Sequence, residues 1–211
     1  MDFSKFIFEK AAAIYKHIVL PEGGDIRTIE AAKKAADLRI AKLTILGDEK
    51  QISEQLRKLN ANTKDITIIN PKTSSKLKEY AEKFYELRKN KGITPQQALD
   101  IVKDEVYFGT MMVKTGEVDG LVSGAVHSTP DTVRPALQII KAAKGVETVS
   151  SMFFMVKGDT TLLYADSGLN QDPTAEQLAD IALTTARTAK QFGFVPKIAM
   201  LSYSTKGSAK G

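Results

Sequence analysis

The chain has 211 residues, 43% hydrophobic and 26% charged, the balance of an ordinary globular protein and enough length for one large domain or two modest ones. It contains no cysteine and two histidines, His17 and His127. That excludes disulfides, thiolate metal sites and a cysteine nucleophile, and it leaves no histidine cluster for a metal. The formal charge of +5 is spread without a basic tail or block, which disfavours nucleic-acid binding and mildly suits an anionic small molecule.

The N-terminus lacks the order of a signal peptide, and no apolar run approaches the roughly 20 residues needed to cross a bilayer. The expectation is a soluble, cytoplasmic protein. Along the chain, short apolar or β-branched runs alternate with amphipathic stretches, the pattern of a mainly parallel sheet covered by helices. Phe3, Phe6, Ile7, Ala11 and Ile14 repeat at helical spacing. A strand is predicted over residues 17–20, followed by the PEGG turn and a helix that Asp25 can cap, with Ile29, Ala32 and Ala36 as its buried stripe. Strands follow over 43–46 and 66–69, with a helix over 49–59 between them. Residues 72–116 read as helical, with a new start where Thr94 caps and Pro95 takes the first helical position.

A strand over 119–122 then leads into a helix over 130–144 that carries Val133, Leu137 and Ile140 on one face. A domain boundary is placed near Lys144, giving a first α/β domain over 1–144 and the start of a second over 145–211. Two β-rich runs, 150–156 and 161–165, suggest a hairpin. A helix from Asp172-Pro173-Thr174 to about Phe192 and a strand over 198–202 complete the pattern. A strand and small-residue turn of this kind normally deliver the chain into a helix, so the sequence is expected to be a truncated one.

The stretch SGAVHSTPDTVRPALQIIK (123–141) carries the clearest chemistry. A strand empties into glycine, serine and alanine, which allow close approach to the backbone. A helix then begins, with Ser128 or Thr129 as its cap and Arg134 one turn inside. Helix N-terminal amides and a guanidinium fork suit a phosphate, and ligands of α/β sheets lie at such strand ends. An ordinary capped polar turn would have the same composition. Neither a dinucleotide GxGxxG nor a nucleotide GxxxxGK[ST] is present. The terminal LSYSTKGSAKG (201–211) repeats the arrangement with Lys206 and Lys210, although a flexible tail would read alike.

These two strings, with PEGGDIR (21–27), YFGTMMVKTGEVDGLVSG (107–124) and DPTAEQL (172–178), closely resemble the phosphate acetyltransferase (phosphotransacetylase) family, in its order and spacing from end to end. The resemblance implies a two-domain α/β fold like that of isocitrate and isopropylmalate dehydrogenases, with the second domain incomplete in this chain. It implies reversible acetyl transfer between acetyl phosphate and coenzyme A, a role in acetate metabolism, a homodimer, and no tightly bound cofactor, coenzyme A being a substrate. Arg88 (in FYELRKN) and Arg134 match the family's arginines for coenzyme A and phosphate. Ser128, Thr129, Ser204, Thr205 and Lys206 are further candidates for oxyanion contacts. Ser167, in YADSG, stands where many members carry cysteine. The family's general base, an aspartate near a serine–arginine pair, is expected beyond Gly211, so no catalytic residue is assigned here and the 211 residues alone are expected to be inactive or nearly so. The alternatives are a phosphate butyryltransferase and a non-catalytic module that binds coenzyme A or phosphate.

Overall fold

Adjacent strand residues that point to opposite faces set the layers of the larger part of the molecule. In the computed structural model, which describes residues 2–202, 204 and 206–208, β1 (Lys16–Leu20), β2 (Ala41–Leu46), β3 (Ile66–Ile69) and β4 (Gly120–Leu121) form one parallel sheet in the order β3-β2-β1-β4. Leu20 and Ile45 pack with Ile29, Ala32, Ile52 and Leu56 of the helices α2 (Ile26–Asp37) and α3 (Glu49–Lys58). Their neighbours Val19 and Leu46 face the other way, into a cluster with Tyr80, Phe84, Val102, Phe108, Met111 and Ile139. That second layer is built by α4 (Leu77–Arg88), a 3₁₀ turn, α5 (Pro95–Val102), α6 (Glu105–Thr115) and α7 (Thr129–Ile139). Strands buried on both faces are the signature of helix-covered parallel sheets, and the α/β reading of the sequence holds here.

The α6 helix lies close on the sheet because Gly109 has no side chain. A Cβ there would stand 2.9 Å from Leu121 Cδ1 and 3.4 Å from Val19 Cγ1. The start expected at Thr94 is a full capping box: the Thr94 hydroxyl accepts from the Gln97 amide at 3.2 Å, and the Gln97 carboxamide accepts from the Thr94 amide at 2.8 Å. Thr94→Ala is therefore expected to lower stability by about 1 kcal/mol, read as a shift in the urea midpoint at unchanged slope. An unshifted midpoint would contradict the capping assignment.

Two expectations for this region need correction. The α7 helix ends at Ile139 rather than near Lys144, and Lys141 turns away with φ +69°. Its buried positions are Pro135 and Ile139, whereas Leu137 and Ile140 are exposed. Ile139 reaches the cluster around Phe84, so the stripe four residues apart that includes Pro135 is the inward one. The opening helix α1 (Phe3–Ile14) buries Phe3 alone of its apolar repeat, with Ile14 60% exposed.

The described structure divides into two compact units, Ser4–Lys141 and Met1–Phe3 together with Ala142–Gly211. In the second unit, β5 (Met152–Lys157) and β6 (Thr160–Ala165) form the expected antiparallel hairpin, with Phe153 opposite Tyr164 and Met155 opposite Leu162. The α8 helix (Ala175–Gln191) starts at a second capping box, Thr174 with Gln177. Phe3 stacks on Phe154 at 4.9 Å between ring centres, and Phe192 and Phe194 complete the aromatic cluster. The strand expected over 198–202 is not formed: those residues have no regular structure, and Ile198, Met200 and Leu201 are exposed. β-Branched and apolar composition does not make a strand without a neighbour to complete the hydrogen-bond ladder.

Candidate functional site

The strand order 3-2-1-4 turns back on itself at β1, so the chain leaves the carboxyl ends of the adjacent strands β1 and β4 side by side. Open α/β sheets bind ligands at such a reversal. Two segments meet there. Residues 21–25 follow β1, and residues 122–128 carry β4 into α7.

Glu22 joins them. Its backbone is in the left-handed region, with φ +70°, and its side chain is only 2% exposed. One carboxylate oxygen accepts from the amides of Gly124 and Ala125, both at 3.0 Å. The other accepts from the amides of Val126 at 2.8 Å and His127 at 2.9 Å, and lies 2.8 Å from His127 Nδ1. A carboxylate can only accept, so the His127 proton sits on Nδ1. Burial opposes ionisation of Glu22, but the bonds from His127, Val126 and Ala125 outweigh it and hold the pKa at about 2.

Three further contacts fix the junction. The Glu22 amide donates to Glu105 Oε2 at 2.9 Å. Gly23 N donates to the Leu46 carbonyl at 2.9 Å. Arg27, paired with Asp25 through Nε at 2.9 Å and Nη2 at 2.8 Å, also donates to the Ala125 carbonyl. The PEGGDIR segment is thus a clamp that grips the 124–127 loop by its amides and by one carbonyl.

A cleft of about 340 Å³ opens beside the clamp, lined by Glu22, Gly24, Asp25, Glu105, Val126 and His127. Burial, followed by the charge of Asp104, pushes the Glu105 carboxyl up, whereas Arg27 holds Asp25 down. The lining is acidic and disfavours an anion. Among the described residues no group of three or more His, Asp or Glu side chains is placed to hold a metal ion.

The residues singled out in the sequence lie elsewhere. Ser128 caps α7: its hydroxyl donates to Asp131 Oδ2 at 2.6 Å and accepts from the Asp131 amide at 3.4 Å. Thr129 opens the helix and is exposed. Arg134 is also exposed and lies 3.9 Å from Asp131 Oδ1. Arg88 ends α4. Both arginines lie near enough to Tyr107 of α6 for their charges to act on its phenol. Burial raises the phenol's pKa, and the charges of Arg134 and, less strongly, Arg88 draw it down. Tyr107 donates to Gln138 Oε1 at 3.1 Å and meets Phe84 edge-on at 5.5 Å. Ser204 and Lys206 belong to the other unit, and Thr205 lies outside the described residues.

Sequence reading assigned no role to Glu22, Arg27, Glu105 or Tyr107. The one local signal for Glu22 was a charge beside two glycines, one proline after the end of β1. Ser167 is also placed, with its amide 3.1 Å from Ser151 Oγ and its own hydroxyl buried without a hydrogen-bond partner among the described residues. Beside it the Asp166 carboxyl is desolvated, yet bonds from Ser151 and Asn170 hold it well below the usual range.

Comparison with known proteins places this geometry in context. A family model described as "Phosphate acetyl/butaryl transferase" matches residues 2–211. The chain is 51% identical over 208 residues to a phosphate acetyltransferase of Synechocystis sp., covering 97% of this chain and 30% of that protein. It is 48% identical over 218 residues to a phosphate acetyltransferase of Clostridium acetobutylicum, covering 100% of this chain and 66% of that one. Among solved structures, a phosphotransacetylase from Streptococcus pyogenes superposes with a TM-score of 0.89 at 44% identity, covering 99% of this chain and 64% of that one. The EutD phosphotransacetylase from Staphylococcus aureus gives 0.86, also at 44% identity, covering 100% and 63%. The chain therefore spans less than two thirds of the length of each of these relatives.

Proposed function

Because the chain belongs to the phosphate acetyl/butaryl transferase family, we propose that it serves reversible acetyl transfer between acetyl phosphate and coenzyme A, and that the α7 start with Arg88 forms the anion-recognition part of the site. In this reading the coenzyme A thiolate attacks the acetyl carbonyl, the new C–S bond forms as the C–O bond to phosphate breaks, and inorganic phosphate leaves with the electron pair. The leaving phosphate and the carbonyl oxygen both gain negative charge, and fixed cations and donors placed against them lower the barrier. Arg134 and Arg88 supply the cations, Thr129 supplies a hydroxyl, and Ser128 supplies one when its proton turns from Asp131 to the ligand. Ser204, Thr205 and Lys206 are further candidates for oxyanion contacts. The chain has no cysteine, so no acetyl-cysteine forms on it and direct transfer is favoured.

The observation that supports the reading is that α7, which carries Arg134, packs against α6 and α4, so that the charges of Arg134 and of Arg88 at the end of α4 both act on Tyr107 of α6. The relatives are named as acetyl rather than butyryl enzymes, which favours the smaller acyl group. The finer parts of the reading go with the family: a two-domain fold like that of isocitrate dehydrogenase with a boundary near Lys144, a cytoplasmic location and a homodimer. Among the described residues no helix is long and apolar enough to cross a membrane.

Arg134→Ala is the direct test. In a chain extended to the full length of its relatives it should lower kcat/KM for the phosphate-bearing substrates by roughly 10–100-fold, the loss of a charge-assisted contact of about 1.5–3 kcal/mol. Phosphate-dependent release of the coenzyme A thiol from acetyl-CoA measures it. Kinetics indistinguishable from the unaltered protein would remove Arg134 from the site.

A further inference from the structure

Loop amides that converge after a strand are the usual place for a phosphate. In this chain the amides of residues 124–127 are already bonded to Glu22. We propose that Glu22 is a positioning residue whose carboxylate fills this amide nest as an internal anion, setting the start of α7 and leaving substrate phosphate to the side chains of α7. The inference rests on the reading of Ser128, Thr129 and Arg134 as the phosphate-facing groups.

Several features support an internal occupant over a displaceable one. The carboxylate engages four backbone amides and the His127 ring with its side chain 2% exposed. A phosphate entering the nest would have to expel a buried, ionised group from four backbone amides and the His127 ring. A phosphate bound beside the nest would instead be repelled by that charge and held by the arginine further along α7. The loop is also tied at its Ala125 carbonyl by Arg27, and Glu22 at its own amide by Glu105. The helix start is thus pre-set before any ligand arrives, so binding does not bear the cost of ordering the loop.

Amide hydrogen exchange, read with steady-state kinetics, tests this. In the unaltered protein the amides of 124–127 should be protected without ligand and gain no further protection at saturating inorganic phosphate. Glu22→Ala should lose that protection and, in a chain extended to the full length of its relatives, raise KM for acetyl phosphate by about tenfold or more while kcat changes less than about threefold. Added formate, which fits the emptied nest, should restore both, and Glu22→Asp should restore them in part. Amides unprotected until phosphate is added would overturn the proposal, as would an unchanged KM in the variant or a loss confined to kcat. If Glu22→Ala does not fold, the exchange measurement on the unaltered protein decides alone. If a chain extended to the full length of its relatives transfers no acetyl group, the functional reading fails, while exchange still decides what occupies the nest.

Discussion

Gly23→Ala is expected to destabilise the protein by about 3 kcal/mol or more, at or beyond the upper end of ordinary overpacking. A Cβ at this position would lie 2.4 Å from the Leu46 carbonyl oxygen, 2.6 Å from Ile52 Cδ1 and 2.7 Å from Ile45 Cγ2. The carbonyl cannot retreat without breaking its bond from Gly23 N, at 2.9 Å. Nor can the two isoleucines yield freely, because Ile45 and Ile52 are both 0% exposed. Relief has to come from moving residues 21–25 off the end of β2, which pulls Glu22 out of its amides. The change should therefore lower the urea midpoint and expose the 124–127 amides to exchange together. A midpoint within experimental error of the unaltered protein would show that the clamp is not packed as described.

The second large effect is acid lability through Glu22. Its folded pKa of about 2 lies below the unperturbed 4.5. A depressed carboxylate pKa contributes stability that is fully present above the unfolded value and is lost as pH falls through the folded one. The difference corresponds to about 3 kcal/mol, present at pH 6 and lost progressively from about pH 5 to pH 2. Glu22→Gln cannot ionise, and its amide nitrogen would face donors. The gap in unfolding free energy between the two proteins should be wide at pH 6 and close toward pH 2. A gap that stays constant across that range would show that the charge of Glu22 contributes nothing.

What the sequence revealed and what it hid divide by the range of the interaction. Strands β1 to β3, the capped start at Thr94 and the turn into α7 are written in neighbouring residues, and they were legible. The clamp was not, because Glu22 meets its donors across 102 to 105 residues. Composition identified the loop after β4 as a place for an anion, and that was sound chemistry. The anion found there belongs to the chain itself. The strand expected over 198–202 failed for the converse reason, since a strand's stability lies in its partner and local composition carries no information about one. Leu137 and Ile140 were assigned to the inward face of α7 from spacing alone, whereas the burial of Ile139 where α7 packs against α6 and α4 sets the helix rotation. Arg88 would read as a solvated helix charge without the family resemblance, and its position near Tyr107 now gives it a physical setting.

Calorimetric titration of coenzyme A into the unaltered protein, Arg88→Ala, Arg134→Ala and the double variant bears most directly on the central claim that the two arginines serve one anionic substrate. Each single change should weaken binding, and the double variant should lose less than the sum, a coupling of roughly 0.5–3 kcal/mol for residues that share a partner. Full affinity in both single variants, or losses that add without coupling, would contradict a shared site around α7 and α4.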